Sequence, residues 1–460
     1  MAARESIHGQ WSSRWMFVLA ATGSAVGLGN IWRFPYEVGE NGGGAFVLVY
    51  LVCILLVGVP LLMAEVLLGR RGRQSPINSM RILAHEEGLN AFWQGLGWMS
   101  VTAGFLILSF YSVVAGWGLS YAFQVASGAF EGATASIALV KFDEFTGSAS
   151  QLLVWHSIFM VMCTAVVAGG VKNGLERALT YLMPTLFLML LVMVCYGMFK
   201  GNFTDALRYL FSPDFSKITE QTLLDALSHA FFTLSLGMGA IMVYGSYLPA
   251  TTSIPRTTVI IAACDTLVAI LAGLAIFPIV FAYGLPPDKG PGLVFTSLTI
   301  AFGHMTGGQL FGTLFFALLT VAAWTSAISL LEPIVSWLVE RFGIGRAAAA
   351  VLAASITWLF GVGSLLSFNL WSDYKVFDLN FFGMVDLISS KLMLPLGGLL
   401  IAIFAGWRMA RSSTMEELNL SGTRYLLWLF LVRFVSPVAV ILIMLDFFNF
   451  FEWLSVIRSA

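Results

Sequence analysis

Apolar residues in this chain fall into long blocks separated by short polar breaks, with polar residues gathered at the block ends. A helix that crosses a bilayer needs about 20 consecutive apolar residues, and blocks of that size recur from end to end. Eleven spans are expected, at about 14–37, 44–69, 97–127, 151–169, 177–199, 223–248, 257–283, 309–340, 347–366, 379–407 and 424–449. Two of them are interrupted. In the first, Gly23, Gly27 and Gly29 lower helix propensity, and Asn30 and Arg33 follow at once. In the sixth, Phe231-Phe232-Thr233-Leu234-Ser235-Leu236-Gly237-Met238-Gly239 breaks the block in the same way. Polar backbone at membrane depth survives only where it is buried in protein or lines a cavity. A helix-packing face of small residues is the competing reading of the first break. A second break at the matching place in the other half of the chain favours a transporter with a midplane site.

Charge orients the spans. Arg70, Arg71, Arg73 and Arg81 follow span two, Lys172 and Arg177 lie between spans four and five, and Arg256 lies between six and seven. Arg341, Arg346, Arg408, Arg411 and Arg424 fall in the later loops on the same side, while Glu131, Asp143, Glu144, Asp205 and Asp214 fall on the other. The positive-inside rule then predicts a multi-pass membrane protein with a cytoplasmic N-terminus and an external C-terminus. Residues 1–13 form a cytoplasmic segment, 14–199 (spans one to five) and 223–407 (six to ten) form two halves of opposite orientation, and 200–222 is an extracellular loop. Span eleven, at 424–449, is left over.

Composition agrees. Of 460 residues, 58% are hydrophobic and 11% charged, and the net charge of -1 argues against a nucleic-acid partner. Cys53, Cys163, Cys195 and Cys264 all lie in apolar runs and read as small hydrophobes, without a disulfide framework or metal spacing. The first span is long, is followed by Arg33 and lacks a clear cleavage site, so no removable signal is expected. The segment 287–305 opens with Gly and Pro and is too short to span; 76–87 has the pattern of an amphipathic surface helix.

Gly23-Ser24-Ala25-Val26-Gly27-Leu28-Gly29-Asn30-Ile31-Trp32-Arg33-Phe34-Pro35, continuing to Phe46, together with 231–239, closely resembles the neurotransmitter:sodium symporter family. The resemblance runs from about Trp11 to the last span. It implies an all-α membrane protein with the leucine-transporter-like fold: two inverted five-helix repeats with helices 1 and 6 broken. It also implies sodium-coupled uptake of an amino acid by alternating access, with spans one, two, six and seven rocking against a scaffold. The 287–305 segment would cap the outer vestibule, an ordinary loop with a surface helix being the alternative. An eleventh span without a twelfth occurs among bacterial relatives.

The chemistry suits that function. Sodium is a hard cation that takes oxygen ligands, as larger alkaline-earth ions do. Unwound helices free carbonyls for cations, and half-helix N-termini present N–H groups to a carboxylate. Matched by position, the first sodium site would use Ala25, Asn30, Thr233 and Asp265, completed by the substrate carboxylate. Asp265 departs from the family's commoner Asn, and a one-residue slip would place Cys264 there instead. The second site would use the carbonyls of Gly23, Val26 and Ala322 and the hydroxyls of Thr325 and Ser326, although a Thr-Ser pair also commonly bonds back to its own helix.

The substrate pocket would be lined by Ser24, Ala25, Leu28, Gly29, Ile107, Tyr111, Phe232, Thr233, Ser235, Met238, Ser326 and Leu330. Tyr111 and Phe232 are otherwise ordinary core aromatics. Monoamine transporters of the family carry an Asp where this chain has Gly27, so the substrate should bring its own carboxylate. The apolar lining favours neutral hydrophobic amino acids. The position of a chloride-binding serine is Ala269, which predicts chloride independence.

Gates are implied on both sides. Arg33 and Asp386 match the outer charge pair. On the inner side His8 and Glu340 stand where the family has Arg and Asp, with Arg4 as an alternative to His8; a histidine there would make inner closure pH-sensitive. The competing class is an amino-acid-binding membrane sensor without net transport, which could lose the ion ligands that this chain keeps. No enzyme is expected: His85, His156, His229 and His304 lack catalytic partners in the sequence, and His229 either influences the first sodium site or packs as a core histidine. Substrates, sodium ions and the bilayer are the expected partners; the oligomeric state is left open.

Overall fold

The computed structural model describes residues 6–287 and 293–447, and Arg4 lies outside them. Among the described residues the chain is helical, apart from one isolated bridge between Val376 and Leu379. The helices are α1 (Arg14–Ala25), α2 (Gly29–Glu40), α3 (Gly44–Gly72), α4 (Pro76–Glu86), α5 (Ala91–Ala126) and α6 (Ala135–Gly147). Next come α7 (Ala149–Ala168), α8 (Val171–Lys200), α9 (Phe203–Phe211), α10 (Glu220–Thr233), α11 (Ala240–Ser246) and α12 (Ile254–Ala282). The last are α13 (Leu298–His304), α14 (Gly308–Phe342), α15 (Arg346–Leu366), α16 (Phe381–Arg408), α17 (Arg411–Leu418) and α18 (Gly422–Asp446).

Nine helices among the described residues are long and apolar enough to cross a membrane, and α1 with α2 adds a tenth span bent by 50°. Eleven is reached only by counting α10 and α11 together, because six residues separate these short helices. The apolar pattern alone could not make that distinction, since it runs straight through the break. The 200–222 connection holds a helix as well: Ala206 and Leu210 of α9 are fully buried against the body. The described part of the 287–305 segment ends in α13, too short to span. Its Phe295 meets Trp32, Trp117 and Tyr121 at ring distances of 6.1, 5.8 and 5.2 Å. Residues 288–292 of that segment lie outside the described residues.

Burial separates posts from rim. The most apolar windows of α5 and α14 are 78% buried, those of α7 and α8 only 33%. The first two are therefore central, and the second two turn their apolar faces to lipid. Each break has a local cause. Ser13 caps the start of α1 by accepting the Met16 N–H, and the helix stops where Val26 turns extended. Between α10 and α11, Ser235, Gly237 and Gly239 all have positive φ, which ends one helix and restarts the next. Close packing holds the restarted piece: a Cβ on Gly69 of α3 would lie 1.9 Å from the Met242 carbonyl of α11.

Candidate functional site

The two breaks face each other, and the ligand-bearing residues meet there. Asn30, at the start of α2, donates through Nδ2 to Asp265 on α12, to Oδ1 at 2.8 Å and to the carbonyl at 3.1 Å. Its Oδ1 accepts the Gly27 N–H at 3.1 Å. Thr233, the last residue of α10, places its hydroxyl 3.1 Å from both Asp265 oxygens. Tyr50 adds a donor at 3.4 Å. Asn30, Thr233 and Asp265 are almost wholly buried, and Ala25, also buried, is the last residue of α1. Asp265, not Cys264, is the residue that meets Asn30 and Thr233. A carboxylate ringed by three hydrogen-bond donors inside a membrane protein is a ready partner for a small hard cation.

A second oxygen cluster lies where α1 crosses α14. The Ser326 hydroxyl stands 3.0 Å from the Val26 carbonyl, 3.0 Å from Ser24 and 3.4 Å from Gly23. Thr325 does bond back to its own helix, at 2.9 Å to the Ala322 carbonyl, but the same hydroxyl is 3.5 Å from the Val26 carbonyl. The five residues expected at the second site thus converge, and no strongly acidic group is needed to gather them.

Between the clusters lies a small cavity of about 20 Å³, about the room of one water molecule. Every residue expected in the substrate pocket lines it except Thr233, which faces the Asp265 cluster beside it. Gly27 lines it too, and a Cβ there would come within 2.5 Å of Ser326 Oγ and 2.7 Å of the Tyr111 hydroxyl. A side chain at position 27 would therefore fill the polar end of the cavity. The Leu28 N–H donates to the Tyr111 hydroxyl at 3.2 Å, and Ser235 donates to the Ser24 carbonyl at 2.9 Å. The Tyr111 phenol and the backbone of Gly27 and Leu28 supply polar lining, and Ile107, Met238, Phe232 and Leu330 supply the apolar lining.

Three residues escaped sequence reasoning. Glu65 on α3, fully buried, accepts the Gly237 N–H at 3.0 Å and so satisfies the unwound stretch. Tyr50 supports Asp265, and Ser329 meets Ser24 at 2.8 Å. A buried acid in the middle of span two was the available signal for Glu65; its partner, 172 residues away, was not.

The outer charge pair differs from expectation. Arg33 lies over Phe232, its Cζ 5.1 Å from the ring centre, but its Nε bonds Glu37 at 2.5 Å rather than Asp386. Asp386 instead accepts the Ser390 hydroxyl at 2.7 Å. Glu37 sits one helical turn from Arg33, and this local pairing prevails over one between separate helices. On the inner side His8 Nε2 lies 3.1 Å from Glu340, whose carboxylate also accepts from Ser75 and Asn78. His229 packs among Phe34, Phe46 and Tyr50, with neither ring nitrogen hydrogen-bonded.

The profile of the Sodium:neurotransmitter symporter family matches residues 8–133 and 130–455. The chain belongs to the sodium:neurotransmitter symporter family. An uncharacterized sodium-dependent transporter of Bacillus subtilis, YhdH, is 37% identical over 441 residues, which is 95% of this chain and 97% of that protein. An uncharacterized sodium-dependent transporter of Haemophilus influenzae is 35% identical over 447 residues, with the same coverage of 95% and 97%. The crystal structure of MhsT in complex with L-phenylalanine is 44% identical, with a TM-score of 0.87 over 95% of this chain and 99% of that one. This symporter family is one of membrane transporters that use sodium, not of enzymes, and the leucine-transporter-like fold is shared.

Proposed function

We propose that this symporter imports neutral hydrophobic L-amino acids together with sodium, using two cation sites and no chloride. One observation carries the reading: an apolar cavity with a polar end lies directly between two clusters of buried oxygens. The first cluster is Asn30, Thr233 and Asp265, to which the Ala25 carbonyl would be added. The second is Thr325 and Ser326 with the carbonyls of Gly23, Val26 and Ala322.

The substrate carboxylate would rest near the Leu28 and Gly29 N–H groups and the Tyr111 hydroxyl, bridging to the first cation. Its ammonium would meet the carbonyls of Ala25, Phe232, Thr233 and Ser235. Its side chain would lie against Ile107, Met238 and Leu330. Met lends the compartment adaptability, so aromatic side chains are within range, and the phenylalanine bound by MhsT is consistent with that. Asp265 supplies a fixed negative charge beside the cation, while Ala269 is a buried methyl without a donor for an anion.

Transport would proceed by alternating access, with spans one, two, six and seven of the two inverted halves, 14–199 and 223–407, rocking against the remaining scaffold and the N-terminus inside. Arg33 and Asp386 close the outer side above Tyr111 and Phe232; His8 and Glu340 close the inner side. The test is uptake of a panel of labelled amino acids into proteoliposomes, under sodium or potassium gradients and with chloride replaced by gluconate. Sodium-driven accumulation of leucine-like or aromatic substrates, indifferent to chloride, is expected. Equal uptake in sodium and potassium overturns the symport reading, and binding without accumulation favours a sensor.

A further inference from the structure

Arg33 has a nearer partner than Asp386. Glu37 bonds its Nε at 2.5 Å, with the Glu37 side chain 6% exposed and that of Arg33 26% exposed. The second oxygen of Glu37 is buried and has no hydrogen-bond partner among the described residues, which leaves Arg33 to compensate the charge of this carboxylate. Removing the guanidinium would strand a buried anion, a costly outcome. The two residues also share α2, so their separation stays constant when neighbouring helices move. Asp386 belongs to α16 and sits close enough to act on the Arg33 charge, yet no ion pair joins them among the described residues.

We propose that Glu37 sets how tightly the outer side closes, by neutralising Arg33 from within its own helix. Asp386 then approaches a guanidinium whose charge is already engaged. Closing the outer side brings two carboxylates around one cation, so the closed state is held weakly and opens readily. Glu37 is a positioning residue: it touches neither cavity nor cation cluster, and works through Arg33. This inference rests on the transport reading for its purpose, since it assumes that Arg33 and Asp386 meet when the outer side shuts.

The test compares wild type with Glu37→Gln, Glu37→Asp, Asp386→Asn and the Gln/Asn double variant in lipid nanodiscs. The first readout is hydrogen–deuterium exchange of segments 33–40 and 381–393 in sodium without substrate. The second is the release rate of a bound labelled amino acid. Glu37→Gln should lower exchange in both segments and slow release about fivefold, the worth of a partly buried ion pair. Asp386→Asn should do the reverse, Glu37→Asp should stay near wild type, and the slowing should vanish in the double variant. Unchanged or faster release in Glu37→Gln overturns the proposal, as does equal loosening by Gln and Asp, which marks a packing role. The exchange measurement needs no substrate, so a failure of the transport reading shows in the second arm alone.

Discussion

Asp265 is the residue on which the proposed first sodium site turns. It receives the Asn30 amide, the Thr233 hydroxyl and the Tyr50 hydroxyl, from three other helices. Without a carboxylate those donors face one another and lose their common acceptor, which costs about 1–3 kcal/mol for each buried group left unpaired. Asp265→Ala and Thr233→Val should each raise the sodium concentration for half-maximal substrate binding by about tenfold or more. Equilibrium binding of labelled substrate across a sodium titration checks this, and unchanged sodium dependence in both variants removes the assignment. Gly27 is the complementary case, a position where having no side chain is the chemistry. Gly27→Ala should abolish most substrate binding while the folded protein survives, because the added carbon meets hydroxyls and not backbone.

At the scale of helices, the breaks work because something holds each half in place after the peptide ladder is cut. Glu65 satisfies the Gly237 N–H, and α11 lies so close to α3 that a Cβ on Gly69 would strike the Met242 carbonyl. The Arg73 guanidinium reaches the carbonyls of Ser246 (3.3 Å) and Leu248 (2.5 Å), capping the far end of α11. A helix of seven residues has little stability alone and depends on these neighbours. Gly69→Leu should therefore destabilise the folded protein by about 2 kcal/mol or more, read as a fall in the thermal unfolding midpoint in detergent. Glycine's role in α3 is this close approach; the break itself needs the positive φ values of Ser235, Gly237 and Gly239.

Across the whole molecule, the end that carries the N-terminal segment is tied together by contacts between distant parts of the chain. Trp11 donates from its backbone to the Tyr247 carbonyl and from its indole to that of Tyr244, each at 3.0 Å, so the start of α1 travels with the end of α11. Tyr247 reaches Glu332 of α14 at 2.6 Å, and Arg346 bonds the same glutamate while its Nε holds the Val167 carbonyl at 3.0 Å. His8 joins the N-terminal segment to Glu340, which also gathers Ser75 just before α4 and Asn78 in its first turn. His8→Ala should loosen this side: amide exchange across 8–25 should rise and apparent sodium affinity fall, with Glu340→Gln giving the same direction.

Much of this was legible in the residues alone. Long apolar blocks dictate membrane helices because backbone polar groups must be satisfied within each span. Gly23, Gly27, Gly29, Gly237 and Gly239 marked the breaks because helix propensity is a local property. The Asn30, Thr233, Thr325 and Ser326 oxygens were picked out by their match to family positions, since a polar residue inside an apolar run equally bonds back to its own helix. Pairing was not legible, because it depends on distance across the fold: Glu65 finds Gly237 172 residues away, and Ser24 finds Ser329 305 residues away. Arg33 shows the limit most clearly. The family resemblance paired it with Asp386, but whether Glu37 or Asp386 holds it depends on how α2 and α16 are packed, and only their positions in space could say.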